Sequence, residues 1–411
     1  MDSGKDQFEL KETQPTYKVC SIFSQVLKLF SRGDFEKAVK EHKAERHARG
    51  FTSWGQFMAM LFCQVGRAHS LREICGGLAC CEGQLKHLGV PTAPKRSTLA
   101  YANEHRPWEL YQTVFEQTLA KCQALVQGQG GRTKNKFRFK NKLMCLDGSI
   151  IDLSVSMFDW AKYKRTKGAI KLHLLLDHDG YLPSFAVVTE GRTSEIKVAR
   201  TLRFDPGTIL AIDRGYIDYE WFRELSMAEV YFVTRMKENA VYEVKEECQL
   251  PQNSNVVSDR IICFPRLARA GEEPVPFRRV EILDKETQES IVFLSNLIAF
   301  GATTIAAIYK DRWQVELFFK ALKQTLKIKT FVGTSANAVR TQVWTALIAM
   351  LVLKYLQLKS TYSWSLSTLA ALLRQQLFFY RDLYVWLDDP FQAPPALAGV
   401  HDDPRQLSIN W

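Results

Sequence analysis

The spacing of apolar residues divides the chain into a helical first part, a β-rich middle and a helical last part. From residue 17 to about residue 126, apolar positions recur every three or four residues, as in SIFSQVLKLF and WGQFMAMLFCQVG, which predicts a small all-α domain. From Lys142 the period changes. LMCLDGSIIDL and KGAIKLHLLLDHDGYLPSFAVVTEG predict three strands, with Asp179 and Gly180 in the turn between the second and the third.

The order of the next elements indicates the fold class. The helical stretch SEIKVARTL is followed by the strand GTILAIDRG, the helix DYEWFREL and the strand VYFVTR. Antiparallel hairpins followed by β-α-β elements are the order of a ribonuclease H-like core, in which helices cover the faces of a mixed five-stranded sheet. We therefore predict an α/β fold with such a catalytic core.

Further elements follow this core along the chain. The β-prone runs DRIICF, FRRVEIL and ESIVFLS predict a β-rich insertion, and helices are predicted at 309–323, 336–358 and 366–379 before a Pro-rich tail. The predicted segments are a helical N-terminal DNA-binding domain (1–127), a basic linker (128–141), the first part of the core (142–235), the β-rich insertion (236–300), the second part of the core with the C-terminal helices (301–385) and the tail (386–411).

Composition narrows the choice of partner. The 411-residue chain has a formal net charge of +11, which favours an acidic partner, and its 12% aromatic content favours a folded nucleic-acid binder over a loose basic tail. Nine irregularly spaced cysteines indicate a reducing compartment. The first residues lack the apolar segment of a signal peptide, and the longest apolar run, 343–353, is too short to cross a bilayer. We expect a cytoplasmic protein that is not associated with a membrane.

The segment YKDRWQVELFFKALK, residues 309–323, carries the most informative pattern. On a continuous helix, one narrow stripe would hold Tyr309, Arg312, Glu316, Lys320 and Lys323, and an apolar stripe would lie beside it. One carboxylate framed by a phenol and three cations suits a metal ligand beside a polyanionic substrate. The alternative is a solvated helix face with i,i+4 ion pairs around Glu316.

Two aspartates follow apolar strands, Asp147 after LMCL and Asp213 after TILAI. A carboxylate in such a position is costly to bury unless a cation compensates. With Glu316 they predict a cluster of three carboxylates, a set of hard oxygen ligands that suits Mg²⁺ or Mn²⁺, and two such ions about 4 Å apart promote phosphodiester chemistry. Taken singly, Asp147 is also consistent with a turn residue and Asp213 with a cap at the end of a strand.

Two other stretches are candidates for contacts with DNA. SLREICGGL and STLAYANEHR predict two short helices, the second preceded by Lys95 and Arg96 and capped by Ser97; they form either a helix-turn-helix unit or part of an ordinary bundle. The second candidate is a basic run after the first strand, formed by Lys162, Lys164, Arg165 and Lys167. This run either follows a DNA backbone or forms a solvated loop. His173 is assigned no role.

These residues carry a resemblance to a known family. The pattern Y-x(2)-R-x(3)-E-x(6)-K, met by Tyr309, Arg312, Glu316 and Lys323, resembles the signature of DDE transposases of the insertion-sequence-four family. LDGSIIDLSVSMFDWAKYKRTKGAIKLH around Asp147 and AIDRGYID, which contains the second aspartate, are similar to that family's first two aspartate motifs. The helical N-terminus, with FSQVLKLF, WGQFMAMLF and RSTLAYANEHRPWE, resembles a domain that precedes the catalytic core in one branch of the family.

The resemblance implies metal-dependent hydrolysis at transposon ends and transfer of the freed 3′-hydroxyl into target DNA, by a homodimer in which each subunit cuts the end held by its partner. It implies that Asp147, Asp213 and Glu316 ligate two Mg²⁺ or Mn²⁺ ions. The residues expected to hold phosphates near the cut are Tyr309, Arg312, Lys320 and Lys323. A β-rich insertion is also implied, and the long interval between Asp213 and Glu316 requires one.

One departure from the family concerns a hairpin intermediate. Some members stack a flipped base on a tryptophan of the insertion while they form a DNA hairpin, but no tryptophan occurs here between Trp221 and Trp313. A hairpin is therefore expected only if Phe264, Phe277 or another aromatic ring takes that place.

Two alternatives to a transposase remain open on the sequence. One is a ribonuclease H-like nuclease that cuts structured DNA without joining it, which only the 309–323 signature separates from a transposase. The other is an inactive or domesticated DNA-binding protein. Three juxtaposed carboxylates weigh against the latter, because a pure binder gains nothing from negative charges that face phosphates.

Overall fold

Side chains alternate along the central strands, and this alternation creates two hydrophobic cores. The computed structural model describes residues 20–46, 48, 50–128, 137–153, 160, 162–164, 167–267, 271–284, 288–325 and 331–391. Leu143 and Cys145 of the first strand enter one core, while Met144 and Leu146 enter the other. Helices close both cores, so the fold is α/β with a large mixed sheet between helical layers. This confirms the predicted α/β class and the helical N-terminal region.

The described residues form a single mixed sheet flanked by helices. The helices are α1 (Ile22–Leu27), α2 (Arg32–Glu41), α3 (Ser53–Val65), α4 (Leu71–Ala79), α5 (Glu82–Leu85), α6 (Arg96–His105), α7 (Glu109–Gly128), α8 (Glu195–Ala199), α9 (Tyr219–Met227), α10 (Ala302–Asp311), α11 (Trp313–Thr325), α12 (Ala336–Lys359), α13 (Leu366–Gln376) and α14 (Leu383–Asp388). The strands are β1 (Leu143–Leu153), β2 (Lys162–Lys164), β3 (Lys167–Asp177), β4 (Leu182–Glu190), β5 (Ile209–Ile212), β6 (Tyr231–Arg235), β7 (Glu243–Glu247), β8 (Val256–Cys263), β9 (Phe277–Leu283) and β10 (Ser290–Ser295).

The centre of the sheet has the strand order β4-β3-β1-β5-β6. β3 pairs antiparallel with both β1 and β4, whereas β1 pairs parallel with β5, and β5 parallel with β6. The parallel register aligns Leu143 with Ile209 and Leu146 with Ile212. The residues that follow these aligned positions, Asp147 and Asp213, therefore lie next to each other across the two strands.

The strands of the predicted insertion extend the same sheet. β10 pairs antiparallel with β6, and β9, β8 and β7 continue outward from it, so that ten strands form one sheet within the described residues. The sheet therefore has more strands than the five predicted for the core, because β10 pairs with the outer edge of β6. β7, every residue of which is exposed, and the short β2 were not predicted, since their charged sequences lack an apolar face.

The N-terminal and C-terminal helices share one core. Backbone hydrogen bonds join them where the N–H of Ile22 donates to the carbonyl of Phe379 at 3.0 Å and that of Phe23 donates to Leu377 at 2.7 Å. α12 contacts α7, α3 and α6. Sequence periodicity predicts each of these helices, but it does not predict that helices so far apart in the chain pack together.

α12 is long and apolar enough to cross a membrane by length and composition alone, since it has 24 residues. In this structure, however, 83% of its most apolar 18-residue window is buried inside the protein. The apolar run 343–353 lies within α12 and is buried throughout. α12 is thus the central helix of the hydrophobic core that contains Leu143 and Cys145.

Serine and threonine side chains fix the starts of several helices. Ser70 accepts a hydrogen bond from the N–H of Glu73 at 3.2 Å, and the Glu73 carboxylate accepts one from the N–H of His69 at 2.9 Å, which forms a reciprocal cap at the predicted start of α4. The prediction for α6 was wrong by two positions, since the cap is Lys95 and Ser97 lies inside the helix. Between α4 and α6 the chain forms α5 and a 3₁₀ turn, so these helices are not joined by a single tight turn.

The predicted helix 309–323 is two helices. α10 ends at Asp311, and Arg312 separates it from α11. Around Arg312 the bonds shorten to the i,i−3 type: its N–H donates to Tyr309 at 3.1 Å, and the N–H of Val315 donates to Arg312 at 3.0 Å. Consecutive Asp311 and Arg312 are both buried, and each bonds side chains of another element. The break lets both polar side chains reach partners inside the protein.

Candidate active site

The candidate site lies where β1, β5 and α11 meet. Asp147 stands in the middle of β1, because β1 continues to Leu153 in its pairing with β3. Its Oδ1 accepts a hydrogen bond from the N–H of Gly148 at 2.7 Å. Burial raises the pKa of Asp147 to about 6; Arg312 and the Gly148 N–H oppose this, and the charges of Asp213 and Glu316 add to it. The charges of Asp213 and Glu316 therefore both act on the Asp147 carboxylate.

Arg312 holds two of these carboxylates together. Its Nη1 donates to Asp147 Oδ2 at 3.3 Å, and its Nη2 donates to Glu316 Oε1 at 2.5 Å. Its side chain is only 10% exposed. Burial alone would lower its pKa, but Tyr309, Glu316 and Asp147 together raise the pKa above its usual range. Arg312 thus neutralises carboxylates that would otherwise repel each other in a largely desolvated place.

Asp213 also fulfils the capping role that was its alternative interpretation. Its side chain caps the 3₁₀ turn 214–216, where Oδ2 accepts a long hydrogen bond of 3.4 Å from the N–H of Gly215. The residue is partly exposed, while the four residues of β5 before it are buried. The cap leaves lone pairs on both oxygens, so it does not exclude a second role as a metal ligand.

The donor set fits a hard divalent cation, because it consists of carboxylate oxygens in a partly dry place. The arrangement itself is not that of a formed metal centre. Within the described ranges, no group of three His, Cys, Asp or Glu side chains is spaced to hold a metal ion. Arg312 bonds one oxygen of Asp147 and one oxygen of Glu316, and each carboxylate keeps further lone pairs with which it can ligate a metal.

The predicted phosphate-binding side chains on α10 and α11 differ in burial and in the bonds they already make. They are Tyr309, Lys320 and Lys323. The half-buried Tyr309 ring packs at 5.1 Å from Phe293, and burial raises the pKa of its hydroxyl. The Lys323 ammonium donates to Ser149 Oγ at 2.5 Å and to the carbonyl of Ile150 at 2.9 Å, so it joins α11 to β1. Lys320 is exposed.

The other predicted DNA contacts lie apart from this cluster in the chain. Lys95 and Arg96 are exposed at the start of α6. Within the basic run, Lys162 and Lys164 belong to β2 and Lys167 begins β3, so the run is not a simple loop. Arg165 lies outside the described residues. These four side chains stay a prediction.

Phe264 and Phe277 are poor candidates for stacking a flipped base. Both rings are buried in the second core, 5.5 Å from each other, and Phe264 also packs 4.4 Å from Tyr219. Neither ring offers an open face to a base in this conformation, so these two residues do not meet the condition under which a hairpin was expected.

Sequence reasoning missed a polar cluster behind the aspartates. His173 is fully buried beside Gly148, and Tyr216, three residues after Asp213, is 1% exposed. The ammonium of buried Lys171 donates to Glu195 Oε1 at 2.8 Å. The signal in the sequence was the polar residues at alternate positions of an otherwise apolar strand, KGAIKLHLLLD.

Fold and site together define the class: an α/β protein in which a buried arginine bridges a carboxylate of a central strand and a carboxylate of a helix. Comparison with known proteins then gives the family. The family model described as the transposase DDE domain matches residues 138–352, which is more than half of the chain, and a domain of unknown function, DUF4372, matches residues 19–91. The chain belongs to the transposase DDE domain family. It is a DNA transposase, an enzyme of the DDE nuclease and transferase type.

Several curated relatives bear transposase names. The protein described as transposase y4zB of Sinorhizobium fredii is 29% identical over 340 residues, covering 81% of this chain and 90% of that protein. The protein described as the transposase for insertion sequence element IS5377 of Geobacillus stearothermophilus is 28% identical, covering 63% of this chain and 67% of its own. The one for element IS4SA of Synechocystis is 30% identical over 36% of this chain and 41% of its own.

Among solved structures, a piggyBac transposase synaptic complex with hairpin DNA aligns with 91% of this chain and 82% of that chain. The TM-score is 0.43 and the sequence identity is 11%. The family assignment does not depend on this likeness.

Proposed function

We propose that this transposase cuts the ends of its element by metal-dependent hydrolysis and joins the freed 3′-hydroxyl to target DNA, which is cut-and-paste transposition. The observation that carries the proposal is the surroundings of Asp147: Asp213 follows the neighbouring parallel strand in register with it, and Arg312 joins it to Glu316. Three carboxylates at such a point are electrostatically unfavourable unless cations compensate. A polyanionic substrate accompanied by divalent cations provides that compensation.

The strand order supports a ribonuclease H-like core. β4, β3 and β1 are antiparallel neighbours, and β5 and β6 continue the sheet parallel to β1. Asp147 then lies on β1 and Asp213 directly after β5, the adjacent parallel strand at the middle of the sheet. We assign the insertion strands β7 to β10 to an extension of that core, which leads the chain from β6 back to α10 and α11.

We assign metal ligation to Asp147, Asp213 and Glu316. Bound Mg²⁺ or Mn²⁺, in a pair, would supply charge stabilisation at the phosphodiester and a more acidic attacking water or hydroxyl. Arg312 keeps Asp147 and Glu316 close while no cation is bound, and its guanidinium is then placed to bind a phosphate oxygen when it releases them. Lys320, exposed on the same helix as Glu316, extends the positive surface toward the DNA backbone.

Lys323 has a different role in this proposal from the one the family signature implies. Because its ammonium bonds Ser149 and Ile150, two and three residues beyond Asp147, it holds α11 in register with β1. Tyr309 packs under Arg312, with the guanidinium carbon 5.3 Å from the ring centroid, and restricts where that side chain moves.

We further propose that DNA meets two surfaces of each protomer and that the active assembly is a homodimer on the two transposon ends. The exposed Lys95 and Arg96 at the start of α6 form one surface, and the active-site face forms the other. The bacterial origin of the relatives supports action in the cytoplasm, where chromosomal DNA is the target.

The proposal is tested by replacing Glu316→Gln and comparing the variant with Glu41→Gln, an exposed position on α2 remote in the chain from the site. With Mg²⁺ and a plasmid that carries the element's ends, Glu316→Gln should lose strand cleavage by at least about 1000-fold, the range of losses when one member of a catalytic set is removed. Mobility shifts of labelled end DNA should remain at the level of the parent protein. Cleavage by Glu316→Gln at the rate of Glu41→Gln would remove Glu316 from the metal site.

A further inference from the structure

Polar atoms of His173 and Tyr216 approach Gly148 at one location next to Asp147, here called the Gly148 pocket. Gly148 follows Asp147 in β1 and pairs with His173 of β3, while Tyr216 ends the 3₁₀ turn that Asp213 caps. A Cβ atom placed on Gly148 would lie 3.2 Å from His173 Nδ1 and 3.5 Å from the Tyr216 hydroxyl oxygen. Two polar atoms from different elements thus border one point next to both aspartates.

Both polar atoms are buried and lack a partner among the described residues. His173 is 0% and Tyr216 1% exposed, and neither Nδ1 nor the hydroxyl makes a hydrogen bond there. Buried polar groups left unpaired are destabilising and uncommon in folded proteins. Two of them facing the same point are therefore better explained by a shared partner than by chance.

The hydrogen-bonding roles of the two groups are complementary. Thr189 donates its hydroxyl hydrogen to the Glu190 carbonyl at 3.3 Å, which leaves its oxygen free to accept from His173 Nε2–H at 3.1 Å. Nδ1 is then an acceptor, and since burial and then the charge of Lys171 lower the pKa of His173 to about 4, the ring stays neutral. Burial raises the pKa of Tyr216, so its hydroxyl remains a donor.

We propose that His173 and Tyr216 are positioning residues for the two aspartates, linked by one water molecule in the Gly148 pocket that accepts from Tyr216 O–H and donates to His173 Nδ1. The link ties the turn after β5 to β3, and β3 pairs with β1 on both sides of Asp147. It fixes the separation between Asp147 and Asp213 on which a shared cation depends. This inference rests on the proposed metal-binding role of the aspartates.

Gly148 has a specific part in this arrangement. Its backbone is not in the left-handed region, so alanine is allowed there conformationally, but a methyl group would lie 3.2 Å from His173 Nδ1 and 3.5 Å from the Tyr216 hydroxyl oxygen, where it competes with the proposed water. Gly148→Ala therefore removes the link without removing either polar group. Gly76 on α4, where a Cβ would meet nothing within 4 Å, is the matched control.

The decisive variant is Tyr216→Phe, compared with Tyr111→Phe. Tyr111 of α7 is equally buried, and its hydroxyl also lacks a partner among the described residues, but it lies in the helical core. The full-length protein is examined without metal by thermal unfolding, and its affinity for Mn²⁺ alone is measured by calorimetry. We expect Tyr216→Phe to lower the unfolding midpoint and weaken Mn²⁺ binding about 10-fold, as losses in the outer shell of metal sites do.

Tyr111→Phe should keep or raise the midpoint, because it removes an unpaired hydroxyl, and should bind Mn²⁺ like the parent protein. Gly148→Ala should weaken Mn²⁺ binding as Tyr216→Phe does, and Gly76→Ala should not. If Tyr216→Phe matches Tyr111→Phe in both measurements, or lowers the midpoint without changing the Mn²⁺ affinity, the positioning role is overturned. If the parent protein binds no Mn²⁺, the proposed function fails, and the midpoints of the two phenylalanine variants still decide whether the link exists.

Discussion

The buried ion pair of Asp259 and Arg278 joins the insertion strands to the start of α10. Its loss should lower both the stability of the protein and the cleavage activity of the candidate active site. Asp259 of β8 is 1% exposed. Arg278 of β9 donates through Nε to Oδ1 at 2.8 Å and through Nη2 to Oδ2 at 2.7 Å, a bidentate pair. Its Nη1 also donates to the carbonyls of Ile298 and Phe300, just before α10.

Asp259→Asn keeps the shape of the side chain but removes its charge and turns one acceptor into a donor that faces the guanidinium. Removing one partner of a buried pair costs about 3–5 kcal/mol in the free energy of unfolding, because the remaining charge stays desolvated. We expect about 3 kcal/mol here, since the amide oxygen still accepts one hydrogen bond. The loop that precedes α10 loses a fixed anchor, so cleavage activity should fall as well.

The measurement is urea unfolding followed by tryptophan fluorescence, with the change in stability taken from the midpoint and slope. The control is Glu243→Gln, which removes an exposed pair with Lys245 on β7 and should leave the midpoint unchanged. A loss of less than about 1 kcal/mol for Asp259→Asn, below the range for a buried pair, would refute the claim that this pair anchors the sheet to α10.

Three other predictions concern charge at the site. Burial raises the pKa of Asp147 in the folded, metal-free protein to about 6 from its ordinary 3.8, so the stability it contributes is complete below pH 3.8 and is lost as pH rises through 6. Asp147→Asn should therefore raise the unfolding midpoint in the presence of a chelator at pH 8 but much less at pH 4.5, and an equal gain at both would contradict this. Lys323→Met should lower the unfolding midpoint because it loses the bonds that join α11 to β1, whereas Lys320→Met should only weaken binding of end DNA. Equal unfolding midpoints for the two variants would contradict the role of Lys323 in holding α11 to β1. The last prediction concerns glutamine substitutions at Lys162, Lys164, Arg165 and Lys167. Together they should flatten the salt dependence of end binding, with a change of up to about 0.9 in logarithmic slope for each phosphate that is no longer neutralised, and an unchanged slope would exclude them from the interface.

The sequence predicted those parts of the fold that depend on local patterns. The apolar runs that predicted β1, β3, β4, β5 and β6 are strands, and the periodic stretch at 336–358 is α12. The charged strands β2 and β7 were missed, because edge strands have little apolar character to mark them. The sharing of one core by the first and last helices was also missed, since it depends on contacts between residues far apart in the chain.

The candidate site was predicted in composition but not in geometry. Asp147 and Asp213 were chosen for the apolar runs before them, yet their adjacency comes from a parallel register that no local pattern encodes. The apolar periodicity of the sequence continues across Arg312. It therefore did not predict the break between α10 and α11. The sequence did not predict the bond from Lys323 to β1. A lysine that bonds another element has the same sequence pattern as a lysine that faces solvent.

The central claim is that Asp147, Asp213 and Glu316 together bind the divalent cations of a DNA-cutting enzyme. The most direct test is anomalous diffraction from crystals of the protein grown with Mn²⁺ and DNA of the element's end. The account predicts manganese coordinated by oxygens of all three carboxylates, with Arg312 displaced from Asp147 and Glu316 onto a phosphate. Manganese bound elsewhere, with Arg312 still bridging the two carboxylates against bound DNA, would contradict it.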